Sequence, residues 1–181
     1  DIHFELEFQN LAALNLDHVS TSFNLKKISL VCSLSSNPKL SGFFKETHYF
    51  IQETSELSSH LPKESVLRLG GITCTNGAVA FASRVSNASI FIVGLDFAYT
   101  NKMHHAKDNI SQQKDLSGNL KNLEAKKNYN TLADIETLDV FENTVMTTTV
   151  LNSARLLIQN LIKYSDNKFY NCSYGAKIEC T

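Results

Sequence analysis

Ile90-Phe91-Ile92-Val93 is an unbroken apolar run, and it ends a stretch in which Ala78, Phe81, Ala82 and Val85 recur at helical spacing behind the paired glycines Gly70-Gly71. A strand that is apolar at every position suits a parallel sheet covered on both faces better than a half-exposed one. A glycine turn, a helix and a buried strand in that order restrict the chain to an α/β layer fold. Within it, Ile90 to Val93 is expected to be a central parallel strand of a doubly wound sheet.

The rest of the chain fits this frame. Ile2, Phe4, Leu6 and Phe8 alternate with His3, Glu5, Glu7 and Gln9 and read as a first strand, and Leu11 to Leu16 suits a short helix. Ile28 to Ser33 is a buried strand, and Asn37-Pro38 can start a helix, because proline loses nothing at the first helical position. Thr47 to Glu53 is the next strand, followed by a polar loop through Pro62 and a short apolar piece, Val66 to Leu69. Thr73, Thr75 or Asn76 can cap the helix behind the glycines. Later, Val150, Leu151, Ala154, Leu157, Ile158, Leu161 and Ile162 form the core stripe of a second helix, with Thr147 to Thr149 as caps. Lys168 to Thr181 has short strand character interrupted by Gly175. The 181 residues, 43% of them apolar, can fill one sizeable core, and no linker is visible. Residues 1–181 are therefore expected to form a single domain.

The 17 Lys and Arg against 18 Asp and Glu give a net charge of -1 and no general electrostatic reason to bind nucleic acid or an anionic membrane. No apolar run approaches the roughly 20 residues of a membrane span, and no basic-then-apolar signal pattern opens the chain. Cys32, Cys74, Cys172 and Cys180 form no CxxC pair, and Cys32 and Cys74 sit in apolar or helix-start contexts, as buried reduced thiols do, which favours the cytoplasm. Strand pattern begins at once without a Met, so sequence ahead of Asp1 is expected. The exception to the even charge is Asn101 to Thr131, where Lys102, Lys107, Lys114, Lys121, Lys126 and Lys127 face Asp108, Asp115 and Glu124. This basic insertion is expected to be the least regular region, either a lid or a solvated surface excursion.

Ligands of open parallel sheets bind beyond the carboxyl ends of the strands, which directs attention to Gly94 through Thr100. Asp96 there can orient a ribose or sugar hydroxyl, hold magnesium through phosphates, or serve a structural hydrogen bond. Gly70, Gly71, Thr73, Thr75 and Asn76 open a helix, where free N–H groups attract a phosphate; plain capping and tight turning account for the same residues. His104 and His105, with Asp108 nearby, can accept a proton near neutral pH. Glu5 and Glu7 share one strand face, able to fix a metal or hydroxyls, or simply solvated. The missing CxxC pairs argue against zinc. No metal site is assigned.

Taken together, the first strand Ile2 to Glu7, the stretch Gly70 to Ala82, the strand-turn Ile92 to Thr100, His105-Ala106 and the closing Asn171 to Thr181 resemble the motility accessory factors. That wider family includes archaeal 6-hydroxymethylpterin pyrophosphokinase-like proteins, the MptE-like domain. The resemblance implies a Rossmann-like, mostly parallel sheet related in fold to bacterial sialyltransferases. It implies a glycosyltransferase that moves a pseudaminic or legionaminic acid from a CMP-activated sugar to Ser or Thr of flagellin, with no cofactor assigned beyond that donor. It carries Glu5 and Glu7 onto the family's acidic strand end and Gly70 to Asn76 onto its Gly-rich helix start. Gly94, Asp96 and Thr100 fall on its Gly-x-Asp turn, His105 on its His-Ala pair, and Gly175 to Ile178, with Lys177, on its closing Gly-Ala-x-Ile. His105 is the implied base, with Asp96 beside it.

Two departures stand out. The family's opening strand and Gly-Pro-Ser loop are absent, so the domain is expected to be truncated on its N-terminal side, and Cys180-Thr181 replaces a closing Gly-Thr. Two other functions fit the same residues. One is an ATP-dependent pterin pyrophosphokinase using magnesium at Asp96 with Glu5 or Glu7, and the other is a noncatalytic module that binds flagellin or a nucleotide-sugar.

Overall fold

The computed structural model describes residues 2–5, 23–99 and 134–180. Their internal contacts divide the chain into two compact units, Asp1–Ser86 and Asn87–Thr181.

The first unit is built on a parallel sheet of β1 (Ile2–Glu5), β2 (Ser29–Ser33), β3 (Glu46–Gln52) and β4 (Val66–Leu67), in that spatial order. β2 lies between two partners, with Val31 opposite Phe4 on one side and His48 on the other. Its last four residues are buried, as a strand covered on both faces should be. Leu30 and Cys32 point to one side of the pleat and join Leu25, Leu40 and Phe44 in the core. The helix expected at Asn37-Pro38 is present as a 3₁₀ helix, Pro38–Phe43, whose first turn is closed by the Asn37 Oδ1 accepting the Lys39 N–H at 3.1 Å.

Behind Gly70-Gly71 comes α1 (Cys74–Val85), which packs on β1 and β4. Gly77 makes this approach possible, since a Cβ there would overlap the ring of Phe4. That ring stacks on Phe50 at 5.0 Å and leans on Phe81 at 6.1 Å, forming an aromatic seam between sheet and helix. At the other end of α1, Arg84 donates to the Val66 carbonyl at 2.7 Å and ties the helix to β4.

In the second unit, β5 (Ile90–Ile92) pairs in parallel with β8 (Phe169–Asn171), and β6 (Asp134–Leu138) pairs antiparallel with β7 (Thr144–Thr148). Here the structure corrects one expectation. Among the described residues β5 has β8 as its sole partner, and although Ile92 is buried, Phe91 is 64% and Val93 77% exposed. An apolar run reports hydrophobicity but not pairing. The outward Phe91 finds cover in a stack with Tyr170 of the neighbouring strand, at 4.8 Å, where a second layer was expected.

α2 (Thr149–Tyr164) follows β7 and packs against it. Thr148 caps it, accepting the Leu151 N–H at 3.2 Å, and Ala154, Ile158, Leu161 and Ile162 form the buried part of the stripe. The Gln159 side-chain amide exchanges two hydrogen bonds with the Glu179 backbone, fastening the last residues onto this helix. Tyr99 forms an antiparallel bridge to Met146, so β7 has Tyr99 on one edge and β6 on the other. All four cysteines are free thiols.

Candidate functional site

The turn that follows β5 runs from Val93 to Tyr99 and is fixed almost entirely by its backbone. Gly94 has a φ of 72°, a left-handed conformation that glycine adopts without cost. The Leu95 N–H donates to the buried Ser173 hydroxyl at 2.9 Å, and the Asp96 carbonyl accepts the Ala176 N–H at 2.6 Å. Gly175 lies so close that a Cβ on it would overlap the Asp96 Cα and carbonyl. Phe97 is buried at a φ of 47°, uncommon for a bulky residue, and its carbonyl accepts the buried Thr147 hydroxyl at 2.6 Å. The two segments that the family resemblance singles out, the Gly-x-Asp turn and the closing Gly-Ala, thus meet in space.

The result is an Asp96 whose backbone is clamped while its carboxylate is exposed, with no hydrogen bond or ion pair among the described residues. Such a carboxylate is free to accept hydroxyl protons of a sugar or ribose, or to ligate a hard cation. Next to it, the turn between β6 and β7 is organised by Asp139, which Ala176 also bridges. Its carboxylate accepts the Phe141 and Asn143 N–H groups, each at 2.8 Å, and the Asn143 amide. Burial pushes the Asp139 carboxyl up, but these donors outweigh it and hold it below its ordinary value. Lys177 is paired with Glu142, and this hydrogen bond and attraction raise its ammonium above the usual lysine range.

In the first unit, Thr73 caps α1: its hydroxyl oxygen accepts the Asn76 N–H at 3.2 Å and its proton goes to the Asn76 Oδ1 at 2.6 Å. Asn76 is fully buried, whereas Thr75 is exposed. Gly70 is buried against Leu67 and near the Gly77 backbone, so its lack of a side chain serves close packing. These residues form the opening of a well-capped helix, with Gly71 and Ile72 leading into it.

Asp96 and Thr73 belong to different units, and each keeps its local geometry as given. Thr100, His104, His105, Glu7 and the insertion Asn101 to Thr131 lie outside the described residues, as does the side chain of Glu5. Among the described residues, no group of three His, Cys, Asp or Glu is placed to hold a metal ion, and no helix is long and apolar enough to cross a membrane. Sequence reasoning read Thr147 only as a cap and gave no role to Ser173, the two residues whose hydroxyls hold the Asp96 turn, nor to Asp139, which orders the β6–β7 turn. A signal existed for Asp139, since an Asp four residues before Asn143 between alternating segments is a turn pattern; for Thr147 and Ser173 there was none.

Against known proteins, the model of the family described as 6-hydroxymethylpterin diphosphokinase MptE-like matches residues 1–102. No curated protein gives a significant sequence match. Among solved structures, the MAf glycosyltransferase from Magnetospirillum magneticum AMB-1 matches over 99% of this chain with a TM-score of 0.72 and 18% sequence identity. The chain spans 25% of that protein's length. The fold expectation therefore holds: an α/β domain with parallel strands and flanking helices, of the architecture found in that protein. Since the family model covers more than half of the 181 residues, the chain belongs to the MptE-like family.

Proposed function

We propose that this chain is the donor-handling part of a cytoplasmic glycosyltransferase that moves a nonulosonic acid from a CMP-activated donor to Ser or Thr of flagellin. The observation that carries the reading is the fold it shares, along nearly its whole length, with a MAf glycosyltransferase. The clamped, open carboxylate of Asp96 adds chemistry suited to a sugar or ribose hydroxyl. In this reading Gly70, Gly71, Thr73, Thr75 and Asn76 shape the start of α1 that meets the donor phosphate, and the turn of Gly94, with Thr100 after it, presents Asp96 to a sugar or ribose hydroxyl.

The acceptor hydroxyl attacks the anomeric carbon, a new C–O bond forms, and CMP leaves with the electron pair of the broken bond. His105 takes the hydroxyl proton, and the first-turn N–H groups of α1 offset the charge of the leaving phosphate. Acceptor recognition is assigned to parts of a longer protein. A thermal-shift comparison of CMP, CMP-nonulosonates, ATP and 6-hydroxymethylpterin on the full-length protein tests the donor class, because a ligand of the native state raises Tm. In the same protein, His105→Ala should keep CMP binding and lower sugar transfer by roughly 10²-fold, the scale of a lost general base. Unchanged transfer would remove His105 and turn attention to His104 or a carboxylate.

The family description favours a second reading, pyrophosphoryl transfer from ATP to a pterin alcohol. There Asp96, with Glu5 or Glu7, would hold magnesium, and strict magnesium dependence of turnover separates this reaction from sugar transfer. Binding of donor or flagellin without any turnover would leave the noncatalytic module.

A further inference from the structure

Cys172 directly follows β8 and Cys180 lies at the far end of the closing segment, yet the backbone between them folds back on itself. The Cys172 N–H donates to the Ile92 carbonyl at 2.8 Å, so this edge of β8 is occupied by β5. Alternation along the strand turns the Asn171 N–H to the opposite edge, where the Cys180 sulfur accepts it. Glu179, one residue before that sulfur, is fastened to Gln159 of α2 by two hydrogen bonds. Both ends of the segment are therefore anchored, and the sulfur of one cysteine rests against the residue that precedes the other. Between them lie Ser173, Gly175 and Ala176, which hold the Asp96 turn.

The two thiols stand in different surroundings. Cys172 is exposed, and its thiol lies 3.9 Å from the Tyr170 carbonyl, a long hydrogen bond that holds it loosely. Cys180 is half-buried. Burial pushes its thiol above the ordinary cysteine range, the Asn171 donor offsets part of this, and the nearby Cys172 adds to it. An exposed sulfur that an oxidant can reach, beside a sheltered one that stays a thiol, is the division of roles in a reversible sulfur pair. Cys32, by contrast, is buried in the core of the other unit.

We propose that Cys172 and Cys180 form a reversible disulfide, made by a peroxide and undone by a dithiol, that closes the loop holding the Asp96 turn. The peroxide transfers one oxygen to the Cys172 sulfur as its O–O bond breaks, leaving a sulfenic acid and one water. The Cys180 sulfur then attacks, an S–S bond forms, and the hydroxyl leaves with the Cys180 proton as a second water. Two electrons pass from the sulfurs to the peroxide, and a dithiol returns them by exchange. In a reducing compartment such a bond is transient, as redox-responsive disulfides are. The pair lies outside the transfer reaction proposed above and does not depend on it.

The test is a peptide map of the full chain after hydrogen peroxide, with remaining thiols blocked by N-ethylmaleimide and no reductant added. Trypsin cuts after Lys168 and Lys177, so the bridge should join residues 169–177 to the peptide that begins at Ile178, and dithiothreitol should release them. In Cys180→Ser the same dose should leave Cys172 as a sulfenic acid that dimedone traps. Because the sulfurs meet in the fold as it stands, oxidation should raise the Tm of the wild type by about 5 °C, the scale of closing a short loop, and leave that of Cys180→Ser unchanged. Oxidised Cys172 beside a Cys180 still open to N-ethylmaleimide overturns the proposal, as does a bridge to another cysteine or another chain. A bridge that lowers Tm also overturns it, since the segment would then have to distort to form the bond. If Cys180→Ser does not fold, the wild-type map and its reversal carry the test.

Discussion

Gly77 and Gly175 both bring two pieces of backbone closer than a side chain would allow, but against different neighbours. In the first unit, Gly77 faces the ring of Phe4, one member of an aromatic seam whose rings can slide. In the second, Gly175 faces the Asp96 peptide itself, which hydrogen bonds hold through Ala176 and, one residue to either side, through Ser173 and Thr147. A ring moves about its χ angles, whereas a clamped peptide can move only if its neighbours do. The first unit is held mainly by apolar packing and the turn of the second by backbone hydrogen bonds, so the second should yield less to substitution.

Gly175→Ala puts this difference to its hardest test, with an expected loss of about 4 kcal/mol in urea unfolding, near the upper end of single-residue effects. A loss of under about 1 kcal/mol would mean that the Asp96 turn is free to shift. Thr147→Val comes next, because it keeps the shape but strips the Phe97 carbonyl of its buried donor, at about 1–3 kcal/mol. Gly77→Ala should cost less, about 1 kcal/mol net, since overpacking of about 2 kcal/mol is partly offset by the helix preference for alanine. If Gly77→Ala proves as harmful as Gly175→Ala, the contrast between ring and peptide collapses.

The smallest effect concerns the β6–β7 turn and is read by pH. Because the folded Asp139 carboxyl lies below its ordinary value of 3.8, its contribution is complete above that value and is lost as pH falls through the lower folded one. The unfolding midpoints of wild type and Asp139→Asn should therefore converge on acidification below the ordinary carboxylate range. A gap that stays constant to acid pH would mean that the charge on Asp139 does not hold the turn.

What was legible in the sequence was local. Thr73 and Thr148 cap their helices as read, because a cap is decided by a hydroxyl and an N–H only a few residues away. The stripe of α2 and the strands β2 and β3 were readable for the same reason. β5 was found but misplaced, since its apolar run is blind to which strands lie beside it. The β6–β7 pair escaped notice, its Thr-rich alternation having been read only as capping residues for α2. The contact between Gly175 and Asp96 spans far more chain than any spacing rule reaches, and nothing in the sequence placed the two segments against each other.

One consequence of β7 lying between Tyr99 and β6 concerns how such a chain can be altered. Met146 meets Tyr99 on one edge and Glu136 on the other, while Asp134 pairs with Thr148 on the same strand. Tyr99 and Glu136, on either side of Met146, are thus two strand spacings apart, about 10 Å. The free energy of closing a connection between fixed posts grows only slowly with its length. Tyr99 and β6 are therefore each fixed by their own pairing to β7, and Asp96 by its bond to Ala176, so a change in the length of sequence between Tyr99 and Asp134 should leave these pairings in place.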